Sequence, residues 1–454
     1  MPEHDAQEGL PLAAAQRATN TAAATRITED AIAGTGWQLD DIYRYSIRLD
    51  PELGYWAVYR ATVQRPTRGG KGAPEERRLT LVGRVCFDAE DWAEYRDWLR
   101  DLYDDAPCRP IGGLGYPVLV EEHQQAWWFY PVDPHLQTLA TATDPREVRR
   151  LLAPRYSAKT PPARILVESV RYHAETSAAL KYVVLDRRGA PERTVFGKIY
   201  REGRGRELHE TTARLWEVSR GRPELLSVPE PIGYDDDLEL HLEAAAPGTP
   251  VEGDRLDPTF QDAAVAAAEA LAAMHDSDLA IEEDLPLGPE LDRLDEVAEQ
   301  MLLVHPDGGR LLRELVGQLR ARVAHTPAED EVVTHGDMKY DQFLAADGRF
   351  TLVDFEDVGR SETSWDLGKW CAHCIPSMPE SSADSEAAER ARTAFLARYR
   401  ELRPQATLHR FPIYEATHLG NRAMILLWGQ SEGWQTAADS LLALAMERLQ
   451  TPAP

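Results

Sequence analysis

Between residues 37 and 248 the apolar residues of this chain alternate or gather in short β-branched and aromatic runs, whereas from residue 260 onward they recur at helical spacing. Such a switch of period calls for a sheet-rich part followed by a helical part, because side chains repeat every two residues on a strand face and every three or four on a helix face. One segment interrupts the helical half, EVVTHGDMKYDQFLAADGRFTLVDFED at 331–357. It reads as short strands around glycine turns and is crowded with carboxylates.

The 454 residues suit two or three domains of roughly 100–200 residues each. Residues 1–30 are Ala/Thr-rich without a sustained apolar stripe, so a flexible leader or loose helix is expected there. Strands are predicted at YRYSIRLD (43–50), YWAVYRATVQ (55–64) and RRLTLVGRVCFD (77–88). A helix follows, with Trp92, Tyr95, Leu99 and Tyr103 on one face. These elements define an α+β domain over 31–150. RPIGGLGYPV (109–118) is followed by no helix start with a phosphate-binding lysine, and reads as a turn; Trp127–Tyr130 reads as core or domain interface. TPPARI (160–165) marks a boundary, after which ARILVESVRY (163–172), ALKYVVLDRRG (179–189) and RTVFGKIYR (193–201) predict a second sheet. A helix is expected at 207–220 and a strand at 238–248.

Fifty basic against 76 acidic residues give a net charge of −26. That balance argues against nucleic acid and anionic membranes as partners, since both require a basic footprint. The N-terminus has acidic residues where a signal peptide needs basic ones, no apolar run approaches the ~20 residues of a membrane span, and four cysteines are too few to staple the chain. A cytoplasmic location is expected. Cys371-Ala372-His373-Cys374 lies in a helical pattern without a second ligand pair, so its thiols are read as helix-face residues and not as a zinc site.

The chemistry is concentrated in Thr334-His335-Gly336-Asp337-Met338-Lys339-Tyr340-Asp341-Gln342 and in Leu352-Val353-Asp354-Phe355-Glu356-Asp357. A hydroxyl that attacks a phosphoryl group needs one placed carboxylate, and Asp337 is the candidate. Gln342 offers an amide oxygen and Asp354 a hard carboxylate oxygen of the kind Mg²⁺ takes. DGRF (347–350) is the tight turn that would bring those two groups to one end of a hairpin. Lys339 is placed to neutralise a transferring phosphoryl group. Taken alone His-Gly-Asp is an ordinary turn, and only the ordered set raises it above that.

With these residues in view, the segment over roughly 160–450 resembles the kinase-like phosphotransferases of the aminoglycoside phosphotransferase and maltokinase type. His335-Gly336-Asp337 matches their catalytic loop, Gln342 stands where most of them have Asn, and Ser364-Trp365-Asp366-Leu367-Gly368 resembles the element that anchors the loop. The resemblance implies an α+β fold: a two-lobed protein-kinase-like body with a β-rich N-lobe (160–246), a helical C-lobe (247–450) and an additional N-terminal α+β cap (31–150). It implies ATP and Mg²⁺ as cofactors in the cleft between the lobes. It places Lys198 on the nucleotide phosphates, with Glu210 or Glu207 as its carboxylate partner, and makes the backbone around Glu243, Ala244 and Ala245 the adenine-binding hinge. The nucleotide-covering turn becomes His173-Ala174-Glu175-Thr176-Ser177-Ala178, in which Thr176 and Ser177 are the hydrogen-bonding candidates, no glycine occurs and Glu175 is expected to repel phosphate. His275 is read as a packing residue, and Glu415, His418, Arg422 and Trp428 as acceptor-pocket candidates.

The expected activity is ATP-dependent transfer of the γ-phosphoryl group to a hydroxyl of a small sugar, amino-sugar or aminoglycoside-like acceptor, Asp337 and Lys339 acting at the transferred group. The surplus of carboxylates fits a cationic acceptor. One alternative is a Ser/Thr kinase for a ribosomally made precursor peptide with a partner lyase, suggested by the Asp-x-Lys spacing of Asp337 and Lys339. Another is a non-catalytic binding scaffold built on the kinase fold.

Overall fold

The computed structural model describes residue 17 and residues 20–50, 54–67, 73–103, 117–152, 164–377, 382–429 and 431–454. Most of the turn expected at 109–118, the first part of the boundary at 160–165, Cys108 and most of residues 1–19 lie outside them. The chain forms two units, one from Met1–Arg206 with Ile232–Leu242 and the other from Glu207–Pro231 with Glu243–Pro454. The expected cap and most of the expected N-lobe therefore fall in the same unit.

The first unit holds two five-stranded sheets. In the first, β1 (Gln38–Asp50), β2 (Gly54–Arg65), β3 (Glu75–Val85), β4 (Val118–Val120) and β5 (Gln125–Phe129) lie in the order β1-β2-β3-β5-β4. Neighbouring residues of β5 serve opposite faces: Trp127 packs with Ala57, Tyr59 and Leu81, and Trp128 with Trp56, Val82 and Leu99. Covering both faces explains why β2 and β5 read as near-continuous apolar runs. Gly83 has no Cβ because one would enter the Trp127 ring.

Helix Ala89–Leu102 covers the Trp128 face through Trp92, Tyr95 and Leu99, and Asp88 caps it by accepting from the N–H groups of Glu90 and Asp91. The other face is covered by a helix that begins inside the expected leader and ends at Ile32. Thr21–Ile32 buries Ala23, Ala24, Thr28 and Ile32, and the Asn20 side chain accepts from Ala23 N at its start. Its buried stripe is built mainly from small residues, which carry little hydropathy signal yet let the helix approach the sheet closely.

The second sheet contains β6 (Arg164–His173), β7 (Ser177–Leu185), β8 (Pro191–Tyr200), β9 (Pro231–Asp235) and β10 (Leu240–Ala244), in the order β6-β7-β8-β10-β9. Leu180, Tyr182, Val184, Val195 and Leu242 pack against Leu139, Ala142, Val148 and Leu152 from the short helices Leu139–Ala142 and Pro145–Leu152. Helix Arg204–Gly221 follows β8.

The second unit is mostly helical. Helix Pro258–His275 starts with Asp257 as cap and proline in its first turn. Helices Leu287–Val304, Pro306–His325, Phe411–Gly429 and Trp434–Gln450 share one core, with Leu294, Met301, Leu315, Leu319, Leu419 and Leu441 buried in it. Two small sheets interrupt the helices: β12 (Glu331–Thr334) with β15 (Gly359–Glu362), and β11 (Thr249–Pro250) with β13 (Phe343–Ala346) and β14 (Arg349–Leu352). Asp347 and Gly348 join β13 to β14 with φ of 50° and 71°, the paired left-handed conformation of a tight hairpin turn. Among the described residues, no helix is long and apolar enough to cross a membrane.

Candidate active site

The loop after β12 is shaped by a buried carboxylate. Asp366, from helix Ser364–Cys374, accepts hydrogen bonds from the backbone N–H groups of His335 at 2.6 Å and Gly336 at 3.0 Å. Gly336 takes φ +80°, where a Cβ would collide with the Asp357 carbonyl, so glycine is required for the chain to pass. The Gly336 carbonyl accepts from Trp365 Nε1 at 3.1 Å and Lys369 Nζ at 2.9 Å. His335 Nε2 donates to the Val353 carbonyl at 3.1 Å, joining the loop to the strand end that carries Asp354. A few backbone groups thus fix the position of Asp337.

The Asp337 carboxylate is held by two lysines, Lys339 Nζ at 2.7 Å from Oδ2 and Lys369 Nζ at 2.8 Å from Oδ1. Burial alone would raise this carboxyl, but the two ammonium groups outweigh it and hold Asp337 well below the usual carboxylate range. Asp337 in turn holds Lys339 above the ordinary lysine value, against the opposing effect of burial. The Gln342 amide nitrogen donates to Asp337 Oδ2 at 3.1 Å and to Asp354 Oδ2 at 3.3 Å. Three residues separated along the sequence therefore meet at one end of the β13–β14 hairpin. Asp354 sits in the left-handed region with φ of 70°, a conformation disfavoured for a residue with a Cβ.

Lys369 was not among the residues singled out from sequence. It lies three positions after Asp366 on the same helix, so one helical face supplies both the carboxylate that shapes the loop and an ammonium on Asp337. That i, i+3 relation to the Asp-Leu element was the available signal.

The remaining sequence candidates lie on other elements, each described in its own unit. Lys198 is half-buried on β8, opposite Ala179 of β7. Glu207 and Glu210 are exposed on helix Arg204–Gly221. Glu243 is buried in β10, Ala244 N donates to the Glu230 carbonyl at 2.9 Å, and Ala245 follows the strand half-buried. Ser177 opens β7 opposite Tyr200, and Thr176 precedes it in the turn. Glu175 differs from its expectation: its charge is buried against Arg84 at 2.9 Å and is not offered to a phosphate.

The acceptor-pocket candidates have structural partners. Arg392 binds Glu415 through two hydrogen bonds of 2.5 and 2.7 Å. His418 is buried edge-on against Trp365. Arg422 donates to the Ala372 and Ile375 carbonyls and to Ser377 Oγ, closing the C-terminal end of helix Ser364–Cys374. Trp428 is exposed. His275 packs as expected, its Nδ1 2.7 Å from the Tyr399 hydroxyl. Cys371 and Cys374 are buried free thiols, and among the described residues no group of three or more His, Cys, Asp or Glu side chains could hold a metal ion.

The β-rich sheet, the helical part and the glycine-turn carboxylate site define a mixed α+β, kinase-like protein. The chain belongs to the phosphotransferase enzyme family, whose model matches residues 170–440. Among solved structures it is similar to a protein assigned as an aminoglycoside phosphotransferase from Ralstonia eutropha JMP134, with TM-score 0.50, 15% identity and coverage of 68% of this chain and 98% of that one. A choline/ethanolamine kinase family protein from Mesorhizobium loti gives TM-score 0.44, 16% identity and coverage of 68% and 95%. A choline kinase from Cryptosporidium parvum gives 0.46, 12%, 67% and 94%. No curated protein matches the sequence.

Proposed function

We propose that this phosphotransferase moves the γ-phosphoryl group of ATP to a hydroxyl of a small sugar, amino-sugar or aminoglycoside-like acceptor. The observation that carries the reading is the meeting of Asp337, Gln342 and Asp354, with Lys339 and Lys369 on the Asp337 carboxylate. Asp337 faces the acceptor hydroxyl. Its lowered pKa makes it a weak base, which suits a loose transition state: the carboxylate orients the O–H and takes the proton late. By then the new O–P bond is forming and the bond from the γ-phosphorus to the bridging oxygen of ADP is breaking. Beside these contacts Lys339 keeps two N–H donors and Lys369 one for the phosphoryl oxygens.

The donor set fits Mg²⁺. Asp354 supplies a carboxylate oxygen, and turning the Gln342 amide about its last bond presents its oxygen to the same point. When bound, the ion neutralises charge between the β- and γ-phosphates. A site with one carboxylate and one amide is consistent with an ion that keeps water and phosphate oxygens as its other ligands. Lys198 with Glu210 is assigned to the α- and β-phosphates, the Glu243–Ala245 backbone to adenine, and Thr176 and Ser177 to the covering turn. The net charge of −26 favours a cationic acceptor.

A second reading, a Ser/Thr kinase for a precursor peptide, draws on the Lys339–Asp337 contact at Asp-x-Lys spacing. ADP release from ATP and Mg²⁺ across a panel of sugars, amino-sugars, aminoglycosides and Ser/Thr peptides separates the readings. Turnover with a small acceptor supports the first and turnover with peptides alone the second. Absence of both ATP binding and turnover would leave a scaffold.

A further inference from the structure

The turn that joins β6 to β7 is docked on the N-terminal sheet. Glu175, at its tip, takes the left-handed conformation with φ of 59° and is 2% exposed. Its carboxylate accepts from Trp56 Nε1 and Arg84 Nη1, both at 2.9 Å, and from the Tyr95 hydroxyl. Its backbone N–H donates to Asp133 Oδ2 at 2.8 Å, an oxygen that also accepts from the Tyr172 hydroxyl at 2.7 Å. Ala174 is buried in the same cluster as Trp56, Tyr95 and Trp128. A turn lacking glycine is therefore held in a glycine-like conformation from outside, by side chains from β2, β3, helix Ala89–Leu102 and the segment after β5.

Arg48 completes this arrangement. It lies on β1, its guanidinium 4.4 Å from the Trp56 ring centroid, and it reaches past the buried cluster to the exposed side of the turn. One nitrogen donates to Thr176 Oγ1 at 2.8 Å and the other to the Ala174 carbonyl at 3.0 Å. Thr176 is also tied to the end of β8, because its carbonyl accepts from Arg201 N at 2.9 Å. A cation of the N-terminal sheet is thus fixed on the residue assigned to the nucleotide phosphates, in a chain whose overall charge repels a polyanion.

We infer that Arg48 is a positioning residue for the nucleotide: through Thr176 it sets the phosphate-covering turn, so the N-terminal sheet forms part of the ATP site. The inference rests on the proposed role of the 173–178 turn in nucleotide binding. In place of a mobile glycine-rich turn that closes on ATP, the chain uses a preset turn whose geometry depends on a second sheet. The dependence is selective, because the turn serves the β- and γ-phosphates, which AMP lacks, and leaves adenine, ribose and the α-phosphate to other groups.

Full-length wild-type protein, Arg48→Ala, Arg48→Lys, Thr176→Val and the Arg48→Ala/Thr176→Val double variant are titrated with ATP·Mg²⁺ and with AMP by calorimetry, and each is melted. Arg78→Ala, on the exposed start of β3, is the control. The expected result for Arg48→Ala is ATP binding weaker by about tenfold or more, AMP affinity within about twofold and a wild-type melting temperature. Arg48→Lys, with one ammonium for two acceptors, falls between. The double variant loses no more than the worse single variant, because the two residues act in series. Unchanged ATP affinity in Arg48→Ala while wild type binds ATP overturns the inference alone, as does an equal loss of ATP and AMP with a lowered melting temperature. Failure of wild type to bind ATP removes the nucleotide reading, and the inference with it.

Discussion

Replacing Asp366 by alanine tests how the loop that carries Asp337 is held. The carboxylate is fully buried and accepts two backbone N–H groups, from His335 at 2.6 Å and from Gly336 at 3.0 Å. Both groups are buried, so water cannot readily replace the lost acceptor. An unsatisfied buried N–H costs about 1–3 kcal/mol, and two of them give about 2–6 kcal/mol. Against a typical total of about 5–15 kcal/mol, this is a large share of the stability. Asp366→Asn keeps one carbonyl oxygen and turns its NH₂ toward the second donor, so roughly half the loss is expected, about 1–3 kcal/mol. Urea unfolding measures both variants, as a midpoint shift at constant slope. If Asp366→Ala unfolds within about 1 kcal/mol of wild type, the loop amides have other acceptors and Asp366 does not hold Asp337 in place.

Lys369→Met removes one of the two cations that depress Asp337, so the acid limb of the pH–rate profile moves to higher pH, whereas an unmoved limb would show that Lys369 does not act on this carboxylate. Burial holds His275 and His418 below the ordinary histidine value, so in mild acid the unfolded chain binds protons that the folded chain refuses. Stability is then full above about pH 6.5 and falls as pH drops below it. Melting temperature against pH shows this slope, and His418→Gln flattens it; an equal slope in the variant would mean that His418 is not kept neutral.

Much of the fold was legible because alternating and continuous apolar runs both record which faces are buried. The predicted strand at 55–64 lies inside β2, that at 193–201 overlaps all of β8 from Arg193 to its end at Tyr200, and the turn at 347–350 joins β13 to β14 as expected. The spacing of Asp337, Gln342 and Asp354 was legible for the same reason, since a short hairpin leaves few ways to place its ends. What escaped was carried by tertiary contacts. Ala23, Ala24 and Thr28 bury the helix that begins inside the expected leader through small side chains with little periodic signal. Glu175 read as a charge facing phosphate because nothing nearby in sequence announces Arg84, which lies 91 positions away. Lys369 was hidden in a helix read for packing, although its place one turn after Asp366 sets it against Gly336 and Asp337.

Phosphoryl transfer dependent on Asp337 is tested most directly by measuring ADP formation from ATP·Mg²⁺ with wild type and Asp337→Asn, using the acceptor that gives the highest wild-type rate. Calorimetry of ATP binding to both proteins accompanies it. Acceptor-dependent ADP formation in wild type, reduced by about 100-fold or more in Asp337→Asn with ATP affinity retained, is the expected result. Equal rates in the two proteins would contradict the role of Asp337 in the reaction.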